Sequence, residues 1–198
     1  MQTQERIGVQ PQTSVDGVLI QQARAGDEHA FEGLVRRYQR PLFQYIYHFV
    51  GDYDLACDVF QQVFLQLYRS LPTIRTTQPL KPWLLRVAHN GCVSELRRKR
   101  LIHFSDLEGA DEEDSCPLVT LADGKPLPEE MAEQHDLQQR LRQAIFALPP
   151  KLRAVVVLRY ATQLSFPEIG QALGIPVATA KARFQRARPL LRASLRGE

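Results

Sequence analysis

No apolar run in this 198-residue chain approaches the roughly 18 residues that a membrane span needs, so no transmembrane helix is expected. The first residues are rich in Gln and Thr. They lack a basic segment followed by an apolar one, so no signal peptide is expected either. Cysteine is scarce. Cys57, Cys92 and Cys116 are scattered and odd in number, which argues against a disulfide framework and for a reducing, cytoplasmic location. Neither they nor the five His fall at metal-ligand spacing, so no metal and no cofactor is expected. No Ser or Tyr nucleophile stands among organised Arg and His groups, so no catalytic residue, no small-molecule substrate and no enzymatic activity is expected. There is no internal repeat.

What is present is charge, unevenly placed. Residues 1–101 hold 13 Lys/Arg against 9 Asp/Glu. Residues 102–134 hold 1 against 10, and residues 135–198 hold 11 against 3. The overall charge of +3 conceals two basic lobes and an acidic bridge. Basic lobes suit a polyanionic partner.

The clearest pattern is SFPEIGQALGIPVATAKARFQRARPLL, Ser165 to Leu191. Ser165 followed by Glu168 is a capping box, and Pro167 in the first turn costs little. Ile169, Ala172 and Leu173 form an apolar stripe, and Gly174 closes the helix as a left-handed cap. Pro176 then opens a second helix. Val177, Ala180, Phe184, Ala187 and Leu191 recur at helical spacing and are expected to face inward. The outward residues are Ala178, Thr179, Lys181, Ala182, Gln185, Arg186 and Arg188, with no carboxylate. Cations and amides pair with phosphate, guanine and adenine, and small side chains let a helix seat in the major groove. The spacing predicts a DNA-reading helix-turn-helix.

The rest reads as helices too, so the fold class is all-α: two small helical domains joined by a flexible acidic linker. Residues 1–14 are polar, without periodicity, and read as a disordered tail. A first domain is expected over 15–101. One helix starts near Val15. A second is capped by Asp27 and carries Leu34, Tyr38, Leu42, Tyr45 and Phe49, with Pro41 bending or dividing it. A third, opened by Asp52 or Asp54, has Leu55, Val59, Val63 and Leu67 inward and Asp58, Gln61, Gln62 and Gln66 on the opposite face. Pro72 ends it. After a hydrophilic loop, the fourth has Leu85, Ala88, Cys92 and Leu96 as its stripe. Arg86, Asn90, Ser94, Arg97 and Arg98 lie along another face, ending in four consecutive cations that suit phosphates. Trp83 reads as a core residue, and Gly91 as a cost of up to about 1 kcal/mol with no evident return. Residues 102–134 read as a mobile linker. The second domain, 135–198, opens with a helix carrying Leu137, Leu141, Ile145 and Leu148. LRAVVVLRYATQ follows as a helix despite its β-branched run.

Four stretches, in this order and spacing, resemble the extracytoplasmic-function (ECF) type of bacterial RNA polymerase sigma factor, within the sigma-70 superfamily. They are FEGLVRRYQRPLFQYI, ACDVFQQVFLQLY, PWLLRVAHNGCVSELRRKR, and ALPPKLRAVVVLRY followed by the helix-turn-helix. The resemblance implies a chain that binds core RNA polymerase and directs it to promoter DNA, without catalysis of its own. It implies that Asp58, Gln61 and Gln62 meet the polymerase clamp helices, with Gln62 standing where a Glu is usual. Asn90 and the loop Arg75–Lys81, with Arg75, Thr76 and Thr77, would hold a flipped base of the −10 element. Arg86, Arg97 and Arg98 would follow phosphates. Thr179, Lys181, Ala182, Gln185 and Arg186 would read the −35 element. A spacer of about 17 base pairs, at roughly 3.4 Å each, puts the two elements about 58 Å apart. Family members often have an anti-sigma factor, which makes one a partner to expect. Ser94 stands near a usual Asp. Pro189 departs from the pattern, and its ring clash with the Gln185 carbonyl predicts a kink or a stop near Arg188.

Two other readings compete. A helix-turn-helix regulator outside the polymerase needs a sensing pocket or an acidic phosphoacceptor cluster in its first half. A DNA-acting enzyme needs an organised nucleophile. Neither feature is present in the sequence.

Overall fold

A computed structural model of the chain describes residues 15–75, 78–102 and 139–196. Among these residues every regular element is an α-helix. They are α1 (Val15–Arg24), α2 (Glu28–Val50), α3 (Tyr53–Ser70), α4 (Leu80–Ile102), α5 (139–147), α6 (Pro150–Tyr160), α7 (Phe166–Leu173) and α8 (Val177–Arg196). The tail 1–14, Leu137 and the expected linker beyond Ile102 lie outside the described residues.

Local chemistry sets the helix boundaries. The Asp27 carboxylate accepts from the backbone N–H of His29 at 2.9 Å and of Ala30 at 3.2 Å, which opens α2. Asp52 opens α3 by accepting from Leu55 N–H at 3.0 Å. Pro41 neither divides nor ends α2. Tyr38, Leu42, Tyr45, Ile46 and Phe49 are buried on both sides of it, and that packing outweighs one missing hydrogen bond. Gly51 ends α2 at φ 77°, a left-handed conformation costly for other residues. Gly91 in α4 also has a reason: a Cβ there would lie 3.1 Å from Val59 Cγ1, so its absence lets α4 lie close against α3. In α6, Val155, Val156, Val157 and Leu158 are all buried. Enclosure on every side holds this β-branched run as a helix.

Pro189 is a correction. α8 runs through it to Arg196, so the stop expected near Arg188 does not occur. The Gln185 carbonyl that loses a donor belongs to an exposed residue, open to solvent. Ala187 and Leu191, on either side of Pro189, pack on Leu148 and Val156, which keeps both parts of the helix on one support.

The larger surprise is tertiary. The two basic lobes do not stand apart. α2 packs on α6 and α4 on α7. Val155, Leu158, Leu164, Ile169 and Ala172 belong to the same buried cluster as Leu34, Tyr45, Phe49, Leu84 and Ala88. Arg153 stitches the two halves. Its guanidinium donates to the carbonyls of Phe49 at 2.8 Å, Phe146 at 2.6 Å and Leu148 at 3.2 Å, and stacks over the Phe146 ring at 4.3 Å.

Candidate nucleic-acid interface

The turn between α7 and α8 is built as the sequence predicts. Ser165 N–H donates to Glu168 Oε2 at 2.8 Å, and Ser165 Oγ accepts from Glu168 N–H at 3.5 Å. Gly174 takes φ 64° and ψ 36°, and its N–H returns to the Gly170 carbonyl. The Ser165 hydroxyl holds the Glu168 carboxyl below its ordinary range. The ionised form is therefore favoured by folding, and this stabilisation is present above the unfolded pKa and lost as pH falls through the folded one. Ser165→Ala is expected to cost about 1 kcal/mol in urea denaturation at neutral pH, and less in acid.

On α8, Lys181, Ala182, Gln185, Arg186 and Arg188 are exposed and Thr179 is half-buried. Ala180 and Ala187 are buried, and Phe184 packs edge-on against Phe166 at 5.5 Å. Val177, expected inward, is 38% exposed, because the first residue of the helix lies beyond the core it leads into. Leu141 of α5, also expected inward, is exposed.

On α4, Arg86, Asn90, Ser94, Arg97 and Arg98 are exposed along one side. Arg98 pairs with Glu95 at 3.0 Å, and Lys99 pairs with Asp52. Arg75 is exposed in the loop before α4, while Thr76 and Thr77 lie outside the described residues. Trp83 packs against the core, as read from the sequence, but also reaches the surface. It is half-buried and stands between two clefts. One, of about 370 Å³, is lined by Gln66, Ser70, Arg75 and Gln78 among others. The second, of about 300 Å³, is lined by Gln78, Arg86 and, from the other half of the chain, Gln171. An aromatic ring ringed by amides, a hydroxyl and a cation offers an unstacked base both a stacking partner and hydrogen bonds. Sequence reasoning did not single out Ser70 and did not place Trp83 at a cleft. An indole in a Pro-flanked helix start beside a polar loop was the available signal.

Asp58, Gln61 and Gln62 are exposed on α3. Leu65 and Tyr68 lie further along the helix at 56% and 63% exposure. Neither was singled out from sequence.

Beneath the α4 face, Tyr45 Oη lies 2.8 Å from His89 Nδ1. Burial, with the Arg183 guanidinium of α8 adding to it, pushes His89 down to about 4 from its ordinary 6.5. Between those values the unfolded chain binds a proton that the folded chain refuses. Stability is therefore expected to fall as pH drops through this window, and less so in His89→Gln. Urea titrations at pH 7 and pH 5 check it. Cys92 is buried at 0% exposure, which pushes its thiol well up and leaves it unreactive.

A capped helix-turn-helix with a carboxylate-free basic face, beside a second basic helix with an aromatic-lined cleft, has the features of a DNA-binding protein. Comparison with known proteins narrows this. Residues 34–102 match the family "Sigma-70 region 2" and residues 138–191 match "Sigma-70, region 4". The ECF RNA polymerase sigma factor SigW of Bacillus subtilis is 33% identical over 177 residues, 89% of this chain and 95% of that protein. The RNA polymerase sigma-H factor of Pseudomonas aeruginosa is 33% identical over 174 residues, 87% of this chain and 90% of that one. The chain belongs to the ECF group of sigma-70 RNA polymerase sigma factors. Among solved structures, CnrH in complex with the cytosolic domain of CnrY superposes with a TM-score of 0.67 at 25% identity, covering 93% of this chain and 99% of that one. The sigma factor RpoE of Bartonella quintana, solved with the anti-sigma factor NepR, shares the fold with a TM-score of 0.65 at 22% identity, over 84% and 96% of the two chains. Among the described residues no helix is long and apolar enough to cross a membrane.

Proposed function

We propose that the chain works in the cytoplasm as a promoter-specificity subunit with no catalysis of its own, and that its residues divide three tasks. Asp58, Gln61 and Gln62 on α3 dock on core RNA polymerase, with Leu65 and Tyr68 extending the patch. Asn90 and Arg75, together with Thr76 and Thr77 in sequence, hold the −10 element. Arg86, Arg97 and Arg98 follow its phosphates. Trp83 supplies the face on which an unstacked base rests. Flipping costs a few kcal/mol of stacking, which that cleft offsets. Thr179, Lys181, Ala182, Gln185 and Arg186 read the −35 element from the major groove. The division follows 15–101, 102–134 and 135–198, with the acidic stretch bridging two DNA-reading units. An anti-sigma factor is a further partner, as the solved relatives suggest.

The observation that carries this reading is the pairing, in one chain, of an exposed basic recognition face on α8 with a Trp-lined cleft beside α4. It is tested by run-off transcription with purified core polymerase over a pooled promoter library. New starts sharing two elements at a fixed spacing are expected. No new starts, with the same core active under another specificity subunit, would reject it. Asp58→Ala is expected to weaken core binding several-fold in a fluorescence titration, with affinity for −35 duplex unchanged. Unchanged affinity for core removes Asp58 from the docking surface.

A further inference from the structure

The cleft of about 300 Å³ between α4 and α7 is one cavity built from both halves of the chain. Gln78, Pro79, Pro82, Trp83 and Arg86 line it from the first half and Gln171 from the second. Each kind of residue has a use. The half-buried Trp83 indole offers a flat apolar face. Pro79 and Pro82 have fixed φ, so the loop and the first turn of α4 hold their shape without a ligand. The side-chain amides of Gln78 and Gln171 each carry two donors and an acceptor. Arg86 is a permanent cation. No carboxylate stands in this lining.

The polar groups are also uncommitted. Among the described residues, the Arg86 guanidinium and the Gln78 and Gln171 amides have no hydrogen-bond or ion-pair partner. Neighbouring cations differ: Lys81 donates to the Thr162 carbonyl at 2.6 Å, and Arg98 pairs with Glu95 at 3.0 Å. Arg86 Nη2 lies 3.7 Å from the point where a Cβ on Gly174 would stand, which keeps the guanidinium beside the turn that closes α7. An aromatic face, two amides and an unpaired cation in one cavity ask for two things in one molecule. A flat heterocycle suits the indole and the amides, and an anion attached to it suits the guanidinium. The volume stands at the low end of small-molecule sites, about 300–1,000 Å³, which suits a mononucleotide and is too small for a dinucleotide.

We propose that this cleft is a binding site for a free nucleoside monophosphate, with the base stacked on Trp83 and met at its edge by Gln78 and Gln171, and the phosphate held by Arg86. Because Gln171 belongs to α7, the site is complete only where α7 packs on α4. Trp83 and Arg86 are also the residues assigned above to the −10 strand, so the nucleotide and that strand compete. This consequence alone rests on the functional reading.

Trp83 is the single tryptophan of the chain, so its fluorescence reports on the cleft directly. The probe is AMP, titrated into the full chain with excitation at the red edge of indole absorption. Quenching is expected with a Kd between about 10 µM and 1 mM, as for a small ligand in an open cleft. Adenosine, which lacks the anion, is expected to bind about 10-fold more weakly. Gln171→Ala, at an exposed position, is expected to weaken AMP binding about 3- to 10-fold and to leave the melting temperature without nucleotide unchanged. AMP at roughly ten times its Kd is expected to raise the melting temperature of the unmutated chain by roughly 2–5 °C, by mass action. It is also expected to displace a single strand carrying the −10 element, whose own affinity Gln171→Ala leaves unchanged. No quenching at about 5 mM AMP, equal affinity for adenosine and AMP, or AMP binding unmoved by Gln171→Ala overturns the site. Quenching without displacement of the strand leaves the site standing and removes Trp83 and Arg86 from −10 recognition, so the two failures are distinguishable.

Discussion

Arg186→Ala is expected to lower promoter-dependent run-off transcription about 10- to 100-fold while leaving affinity for core polymerase unchanged. The reasoning begins with exposure. Arg186 lies on the outward side of α8, one helical turn from Ala182 and beside Gln185, with no carboxylate anywhere in the helix to compete for it. An Arg fork aimed at guanine contributes about 1–3 kcal/mol of discrimination, which is the stated loss in rate at sub-saturating factor. Lys181→Ala tests the alternative role. A cation on phosphate weakens all sequences alike and lowers the salt dependence of binding, whereas a base-reading residue relaxes preference at one position. Measuring both variants against a set of −35 duplexes at two salt concentrations separates the roles. Equal loss of core binding in either variant would count against the placement of −35 recognition on α8.

Arg153→Ala is expected to produce the largest loss of stability in the chain, about 3 kcal/mol, with a fall in melting temperature of roughly 6–12 °C. The residue is 9% exposed, and its guanidinium donates to the carbonyls of Phe49, Phe146 and Leu148. Two of these groups close α5 and the third closes α2, where unpaired carbonyls concentrate negative potential. Removing the side chain leaves buried acceptors without donors and strips the stacking partner from Phe146. Lysine is a poor substitute, because a single ammonium cannot reproduce a planar fork that serves three acceptors while lying on a ring. Arg153→Lys is therefore expected to recover only a minor part of the loss. A calorimetric melt in which Arg153→Ala shifts the transition by less than about 2 °C would show the contact to be incidental.

The two variants probe different things that the sequence carried unequally. The α8 face was legible because its information is local: a capping box, a Gly stop, and a run of cations and small residues free of acid. Helical periodicity then decides inside from outside, and Ala180, Ala187 and Arg186 fall where spacing puts them. The buried stripe of α3 and the exposed polar face opposite it were legible for the same reason. Arg153 was not. In sequence it is one cation among eleven in residues 135–198, and only the arrival of α2 beside α6 turns it into a buried cap on two helices. The cleft side of Trp83 was not legible for a related reason. Whether an indole at a helix start also opens on a cleft depends on where Arg75 and Gln78 come to lie beside it, and a loop leaves no periodic signal.

Pro189 marks the limit of reasoning from one residue's sterics. The clash and the missing donor are real costs, but the packing of Ala187 and Leu191 on α5 and α6 sustains the helix through them.

By itself the sequence determined the helical fold, the helix-turn-helix, the exposed basic and polar faces, and a family membership, because each rests on short-range spacing or on a pattern of motifs in order. The tertiary structure alone decided that the two basic lobes pack together, that Phe146 lies against Gly51, and that Arg153 joins α2 to the second half. Those facts depend on contacts between residues about a hundred positions apart in the chain, such as Phe49 with Arg153, which no local pattern encodes.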